Sequence, residues 1–153
     1  MSVDAALARY ARYLETLTPA SLDDLGQFVH PRVRFADPFH DLQGMENMRA
    51  VFVAMFAAIP DVRFEVLASA AEGQGAFLHW RFTGRFARAP SRRLDFEGTS
   101  VIRFDERGLV TAHLDYWDSS AGLLQHFPVM GPLLRWLRRR VAAAVRPASG
   151  TRG

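Results

Sequence analysis

Titratable side chains stand at three points of the sequence from which they could converge on one site. Asp37 is followed by Pro38 and ends a short apolar strand pattern, so its carboxylate would lie at the mouth of an apolar pocket. An acid in that setting is a candidate proton shuttle. Tyr13 lies on the first predicted helix, and an aromatic and polar segment at residues 113–118 lies on the last predicted strand. Acid/base catalysis is therefore one hypothesis for this chain.

Asp37 has a second interpretation, which the sequence leaves open. An aspartate in such a turn-rich segment often accepts hydrogen bonds from nearby backbone N–H groups and so holds a turn. Burial among aromatic side chains would favour catalysis, because burial raises the pKa of a carboxyl group towards neutrality. Exposure to solvent would favour the turn.

The composition excludes several kinds of chemistry. The chain has 153 residues, no cysteine and no lysine, since all 19 basic residues are arginine. Disulfides, thiolate nucleophiles, iron–sulfur ligation and lysine Schiff bases are thereby excluded. Catalysis must come from Asp, Glu, His, Tyr or Ser side chains or from a bound metal.

A metal site is the less favoured interpretation of the polar residues around Asp37. His30, His40 and Asp41 supply imidazole and carboxylate groups that suit zinc or iron. Their spacing matches no established motif, and a loop with ordinary polar residues accounts for them. We predict neither a metal nor a cofactor.

These side chains must be positioned by helices that come first and strands that follow. Apolar residues recur at helical spacing over 3–17 and 45–59, and Thr18-Pro19 starts a short helix that ends at about Phe28. A period of two predicts strands after Pro60, and thus an α+β domain. The predicted strands cover 33–37, 62–69, 76–86, 94–104 and 109–117, with a break at His30-Pro31 and loops over 38–44 and 87–93.

The length predicts one domain over residues 1–128, followed by a basic amphipathic helix over 129–145 and a disordered tail over 146–153. The N-terminus has no signal-peptide pattern. No window approaches the roughly 18 apolar residues that a membrane-spanning helix needs. We expect a cytoplasmic protein.

In Arg12-Tyr13, Asp37-Pro38 and the order of its elements, the chain resembles the NTF2-like cone fold. The resemblance is to the SnoaL-like and ketosteroid isomerase-like branch and covers residues 3 to 125. It implies N-terminal helices packed in a curved, mainly antiparallel β-sheet, with a C-terminal helix added. In that fold, part of the apolar core is a pocket.

The isomerases of this branch imply roles for three residues. Asp37 takes the place of the general base that moves a proton next to a carbonyl. Tyr13 takes the place of the tyrosine that donates a hydrogen bond to the enolate. The position of the second donor falls on Ser100, which is a weaker donor than the family's acid.

The polyketide cyclases of this branch imply a different carboxylate, Asp115, as the acid/base. The resemblance turns His113, Asp115 and Trp117 towards the pocket, where the imidazole and the carboxylate could share a proton. The hydrophobic pattern favours the opposite face, which is the more apolar one. That face carries Val110, Ala112, Leu114 and Tyr116.

A ligand-sized apolar pocket is expected from the same resemblance, with a hydrophobic small molecule as the partner. Its predicted lining is mostly aromatic and aliphatic: Phe35, Phe52, Phe56, Leu78, Trp80, Phe82, Ser100, Ile102 and Trp117. The opposite, convex face of the sheet would carry His79, Arg81, Thr83 and Arg85. Related domains dimerise through that face, so we predict a homodimer.

The C-terminal helix combines a leucine and valine stripe with four arginines and Trp136. Such a helix can lie on an anionic membrane through residues 131–145, or its stripe can dock on the domain or on a partner. Four arginines around Pro90 indicate a solvated hairpin tip. No nucleic-acid partner is predicted, because no binding motif or interleaved aromatic residues accompany them.

The favoured hypothesis is a SnoaL-like, cofactor-independent isomerase or cyclase that acts on an apolar carbonyl compound, with Asp37 or Asp115 as general acid/base. The alternative is a non-catalytic binding module for an apolar or lipid-like ligand. A third role, epoxide hydrolysis by two carboxylates with Arg81 or Arg103, is disfavoured because both arginines point away from the pocket face by parity.

Overall fold

The computed structural model describes residues 1–124 and 130–144 and divides into two compact units. The first unit comprises Met1–Asp118, and the second begins at Ser119. The first unit contains, in chain order, α1 (Val3–Glu15), a 3₁₀ helix (Ala20–Gln27), β1 (Val29–Ala36), β2 (Asp41–Gln43), α2 (Met45–Ala58), β3 (Arg63–Glu72), β4 (Gly75–Phe86), β5 (Ala89–Phe104) and β6 (Val110–Trp117).

The six strands form one sheet in the order β2-β1-β6-β5-β4-β3. Every neighbouring pair is antiparallel except β1 and β6, which are parallel. Helix α1 packs against β3 and β4, and α2 packs against β1. The predicted α+β architecture, with helices packed on a mainly antiparallel curved sheet, is confirmed.

Helix α1 shows how the sequence builds this layer. The Ser2 side chain caps the helix by accepting a hydrogen bond from the Ala5 N–H at 3.3 Å. Its apolar face is buried under the sheet, because residues three and four apart share one side of a helix. The buried side chains are Ala6, Leu7, Tyr10, Ala11, Tyr13 and Leu14.

Two prolines lie inside strands where breaks or loops were predicted. β1 continues through His30 and Pro31, and β5 starts at Ala89, so Pro90 is part of that strand. Both prolines fall where the ladder register shifts, between Val29 and Arg34 in β1 and before Arg93 in β5. A missing N–H costs no ladder hydrogen bond there, which is why proline is tolerated.

A bulge at Thr111 decides which face of β6 points inwards. Arg103 pairs with Ala112, whereas Phe104 pairs with Val110, so Thr111 is an extra residue in β6. The extra residue inverts the alternation, and Val110 and His113 are both buried. The more apolar face suggested by the hydrophobic pattern is therefore not the inner one.

The outer face of the sheet is the face that carries His79, Arg81 and Arg85. Arg81 forms a bidentate ion pair with Asp95, with both N–O distances at 2.7 Å. His79 contacts Glu97 at 2.8 Å. An apolar row crosses this face where Phe77, Val101 and Leu114 pair directly across three strands. The homodimer stays a prediction.

The second unit contains α3 (Ser119–Gly122) and α4 (Met130–Ala144). Within it, Arg138 donates a hydrogen bond to the Ser120 hydroxyl at 2.6 Å, and the Arg140 guanidinium lies 5.2 Å from the Trp136 ring centroid. The predicted tail over 146–153 lies outside the described residues. Among the described helices, none has both the length and the apolarity to cross a bilayer.

Gly98 is the point at which two indole side chains meet the sheet. It pairs with Trp80 on one side and with Trp117 on the other. A Cβ atom at this position would lie 2.4 Å from Trp80 Cη2 and 3.0 Å from Trp117 Cβ. Because Gly98 has no side chain, the Trp80 ring can occupy the space where a Cβ atom would lie.

Gly98→Ala should destabilise the first unit by about 1–3 kcal/mol, because the added methyl group forces the Trp80 ring out of its packed position. Urea unfolding followed by far-ultraviolet circular dichroism measures the change. Gly26→Ala is the matched control, since a Cβ there meets only the Met45 thioether at an ordinary 3.6 Å. Equal stability of Gly98→Ala and the unchanged protein would contradict this packing.

Candidate active site

A continuous chain of hydrogen bonds crosses the core and joins five polar side chains. The Tyr10 hydroxyl and His113 Nδ1 are 2.7 Å apart, and His113 Nε2 and Asp115 Oδ1 are 2.8 Å apart. The Ser100 hydroxyl donates a hydrogen bond to the same Asp115 oxygen. The Trp80 Nε1–H donates to the Ser100 oxygen at 2.8 Å.

The sheet register brings these residues together. Ser100 on β5 pairs directly with Asp115 on β6, so both side chains point to the same face. His113 lies two residues before Asp115 and therefore shares that face. Tyr10 reaches them from α1 across the layer between helix and sheet. The prediction that turns His113 and Asp115 inwards agrees with this geometry.

The chain of hydrogen bonds is sheltered from water. Tyr10, Ser100 and His113 are 1%, 1% and 3% exposed, and the Asp115 side chain is 16% exposed. Burial raises the pKa of Tyr10 well above its ordinary value, and the nearby charge of Asp115 adds to that rise. Tyr10 therefore stays protonated. Among the described residues, every buried side-chain polar atom has a hydrogen-bond partner.

A small apolar cavity lies on one side of Asp115. Its volume is about 20 Å³, which is room for roughly one water molecule. The lining combines apolar side chains with three members of the hydrogen-bonded chain: Leu14, Phe52, Phe64, Val66, Trp80, Ser100, His113 and Asp115. This cavity is smaller than the ligand-sized pocket predicted inside the cone, and that pocket stays a prediction.

A larger cleft lies on the other side of Asp115, where β1 ends beside β6. Its volume is about 330 Å³, which is within the range of small-molecule sites. Trp117 forms part of its wall and is held between Phe39 and Phe96, with ring centroids 5.8 and 4.7 Å away. The lining is Arg34, Ala36, Asp37, Pro38, Leu114, Asp115, Tyr116 and Trp117.

Asp37 lines this cleft, but its carboxylate holds a turn. Oδ1 accepts hydrogen bonds from the backbone N–H groups of Phe39 and His40, both at 2.7 Å. The His40 ring nitrogen Nδ1 lies 3.0 Å from both carboxylate oxygens. The turn interpretation of Asp37 thus describes its contacts, and its lone pairs are directed into the turn rather than towards the cleft.

Tyr13 is not brought to the carboxylates. Its hydroxyl donates to the Ser21 carbonyl at 3.0 Å, and its ring stacks on Phe28 with centroids 4.1 Å apart. It lines a separate surface cleft together with Arg9 and Arg12. The side chain that reaches the inner face is Tyr10, one helical turn earlier. The enolate-binding role implied for Tyr13 therefore lacks a geometric basis.

The predicted pocket lining divides into two groups. Phe52, Trp80 and Ser100 line the small cavity, and Trp117 lines the cleft. The other five are buried core side chains that line neither space, because the helices fill the cone around them. These are Phe35, Phe56, Leu78, Phe82 and Ile102.

The polar residues near Asp37 and the outer arginines have other partners. His40 contacts Asp37, and Asp41 forms a two-toothed ion pair with Arg34 at 2.9 and 3.0 Å. Over residues 1–124 and 130–144, no group of three or more His, Asp or Glu side chains is arranged to hold a metal ion. Arg81 lies on the outer face, away from Asp115, which removes the epoxide-hydrolase arrangement with that arginine.

Tyr10, Leu14, Phe64 and Val66 were not predicted as site residues. Tyr10 and Tyr13 both belong to the apolar stripe of α1, and the sequence contains no signal that separates their roles. His113 is the only buried histidine among the described residues. Which of the two tyrosines reaches it can be decided only when the strand register is known.

Comparison with known proteins assigns the chain to a family. The profile of the SnoaL-like domain matches residues 10–113, which is more than half of the chain. The chain belongs to the SnoaL-like domain family, within the NTF2-like fold, and the predicted family is confirmed. No curated protein matches the sequence significantly.

Solved structures support the fold. A SnoaL-like polyketide cyclase from Agrobacterium tumefaciens is 24% identical with a TM-score of 0.62, and the match covers 79% of this chain and 94% of that one. An NTF2-like protein of unknown function from an Exiguobacterium species is 17% identical with a TM-score of 0.63, covering 74% and 98%. A ketosteroid isomerase-like fold from Catenulispora acidiphila, in complex with trimethylamine, is 16% identical with a TM-score of 0.66, covering 77% and 88%.

The two buried tyrosines predict how stability depends on alkaline pH. Burial raises the pKa of Tyr13 to about 12 and that of Tyr10 well above its ordinary value, whereas a tyrosine in an unfolded chain ionises at ~10. Their contribution is complete below pH ~10 and is lost as the pH rises towards 12. No lysine or cysteine titrates in this window, because the chain has neither.

The urea midpoint should therefore fall between pH ~10 and ~12, and Tyr13→Phe should make the fall less steep. Tyr116→Phe is the matched control, because Tyr116 is 60% exposed in the fold. Unfolding curves at a series of alkaline pH values measure both slopes. An equal slope in Tyr13→Phe and the unchanged protein would contradict the burial of the Tyr13 hydroxyl.

Proposed function

We propose that this protein is a cofactor-independent enzyme that isomerises or cyclises an apolar carbonyl compound, with Asp115 as general acid/base. The observation that carries the proposal is the position of one carboxylate between a small cavity and an open cleft, both of which Asp115 lines. Asp115 Oδ1 accepts hydrogen bonds from His113 and Ser100. In the part of the chain that the structure describes, Oδ2 accepts none, which leaves that oxygen to a substrate.

In the proposed reaction, Asp115 Oδ2 takes a proton from the carbon next to a substrate carbonyl. The C–H electron pair becomes the C=C bond of an enolate, and the negative charge moves to the carbonyl oxygen. In an isomerisation, Asp115 returns the proton to another carbon of the conjugated system. In a cyclisation, the enolate carbon attacks a second carbonyl, and the alkoxide that forms takes the proton. The carboxylate is restored either way.

The two spaces beside Asp115 suggest how a substrate would bind. The cavity of about 20 Å³ is too small for a substrate, whereas the cleft of about 330 Å³ is large enough. The reacting carbon would reach Asp115 from the cleft, with the Trp117 indole as an apolar wall. The family supports this chemistry as well, since one structural relative is described as a polyketide cyclase.

Asp115→Asn should lower catalysed proton exchange by about 10²–10⁴-fold, which is the usual contribution of a general base. The probe is 2-tetralone, an apolar ketone whose C1 protons lie between a carbonyl and an aromatic ring. Exchange of these protons for deuterium in D₂O is followed by proton NMR, with and without enzyme.

Asp37→Asn is the matched control, because Asp37 lines the same cleft but is bound to the Phe39 and His40 backbone. Its exchange rate should stay within about threefold of the unchanged protein, because both oxygens of the Asp37 carboxylate already contact groups in the turn. Loss of exchange in Asp37→Asn with full exchange in Asp115→Asn would show that Asp37 is the base, and it would contradict the role proposed for Asp115. Exchange no faster than with free acetate would refute the function.

The second candidate is a binding module that contacts an anionic membrane through α4. This helix presents Leu133, Trp136 and Leu137 with exposed fractions of 59%, 55% and 49%. Arginines alternate with them along the helix, at 135 and 138–140. Exposed leucine and tryptophan beside arginine favour the interface of an anionic bilayer. The same protein could combine this contact with the proposed catalysis.

If α4 binds membranes, the full chain should co-sediment with vesicles of phosphatidylglycerol and phosphatidylcholine, and binding should fall with added salt. Trp136→Glu should weaken binding strongly. Phe77→Glu is the matched control, because Phe77 is a comparably exposed aromatic residue on the sheet. Equal binding of the two variants, or binding that does not depend on salt, would contradict the role of α4.

A further inference from the structure

We infer that Tyr10 is a positioning residue that fixes the proton of His113 on Nε2, so that the imidazole donates to Asp115 and leaves one carboxylate oxygen for the substrate. This inference rests on the proposed function where it concerns catalysis. The proton arrangement itself follows from the hydrogen bonds and can be measured without any substrate.

The argument starts at the Tyr10 hydroxyl. Tyr10 is 1% exposed, and in the described residues its hydroxyl contacts one polar atom, His113 Nδ1 at 2.7 Å. A buried hydroxyl that fails to donate is unfavourable, because it has given up its hydrogen bond to water without a replacement. The proton therefore lies on the tyrosine oxygen and points at Nδ1. Nδ1 must then accept, which means that it carries no proton of its own.

The second step follows from the two nitrogens of imidazole. A neutral histidine has one N–H, so a bare Nδ1 places the proton on Nε2. Nε2 lies 2.8 Å from Asp115 Oδ1. With the other tautomer, a nitrogen lone pair and a carboxylate oxygen would face each other at this distance, which is repulsive. Tyr10 would then accept from the Nδ1–H, and its own buried proton would have no acceptor among the described residues.

The ring has little freedom to turn away from this arrangement. Tyr10 meets the imidazole edge-on, with centroids 5.7 Å apart and an interplanar angle of 80°. The Phe35 ring lies 5.5 Å away on another side. His113 is 3% exposed. Among the described residues, its hydrogen-bond partners are Tyr10 and Asp115.

The hydrogen bonds at the Trp80 end of this series have a fixed donor-to-acceptor direction as well. An indole N–H can only donate, so Trp80 donates to the Ser100 oxygen at 2.8 Å. The Ser100 proton is then free to donate to Asp115 Oδ1. Two donors, the His113 imidazole and the Ser100 hydroxyl, thus meet on one oxygen. They stabilise the ionised carboxylate and hold its plane, while Oδ2 is left for a proton from the substrate.

The test is nitrogen-15 NMR of the imidazole groups in the labelled full chain near neutral pH. The His113 signals are assigned with His113→Gln, and the shifts of the two ring nitrogens report which one is protonated. The expected result is a single Nε2–H tautomer in the unchanged protein. In Tyr10→Phe, the Nδ1 shift should move and the Nδ1–H tautomer should become populated.

Tyr13→Phe is the matched control. It removes a hydroxyl from the same helix face, but that hydroxyl donates to the Ser21 carbonyl. The His113 shifts should not change in this variant. Catalysed exchange of 2-tetralone should fall by roughly 10-fold to 100-fold in Tyr10→Phe, in kcat rather than KM, as for other partners that orient a functional group. Tyr13→Phe should keep its rate.

An Nδ1–H tautomer, or a doubly protonated ring, in the unchanged protein would overturn the inference even if Tyr10→Phe does not fold. An unaltered His113 spectrum in folded Tyr10→Phe would overturn it too. A fixed Nε2–H tautomer that is lost in Tyr10→Phe, together with no catalysed exchange in the unchanged protein, would support the proton arrangement and refute the proposed function. The two failures are therefore distinguishable.

Discussion

The structure of the inner face depends on one constraint: polar side chains placed in an apolar core must satisfy each other. An unpartnered buried hydroxyl, imidazole or indole N–H costs free energy comparable to several buried methylene groups. The series of hydrogen bonds that runs from the Tyr10 side chain to the Trp80 side chain removes that cost, because each donor in the series meets an acceptor. Helix α1, β4, β5 and β6 each supply at least one member. Their relative positions are thus fixed by polar contacts as well as by packing.

This constraint also explains two irregularities of the sheet. The extra residue at Thr111 lets Val110 complete the core while His113 still points inwards. Gly98 has no side chain, so the Trp80 indole can lie over the strand and reach Ser100. A regular β6 would have presented either an apolar residue or the histidine, but not both. The bulge and the glycine are therefore parts of the site, although neither contacts the cleft.

The sequence predicts the elements well where periodicity is simple, and fails where one residue changes it. α2 and β4 match their predicted spans almost to the residue, because their apolar spacing is unbroken. The inner face of β6 could not be predicted from alternation, since Thr111 inverts it. Asp115 was found through family resemblance. The choice of Tyr10 over Tyr13 depends on distances between elements that no local pattern contains.

Ser100 gives the clearest indication of the chemistry that the proposed site would favour. Its position implied a donor for an enolate, but its proton is directed at Asp115. On the proposed function, the base is held firmly while Ser100 is not free to stabilise the enolate oxygen. More of the acidity of the C–H bond then has to come from the substrate. A carbon between two carbonyls, or between a carbonyl and an aromatic ring, spreads the charge by itself, and such substrates would suit this site better than an isolated ketone.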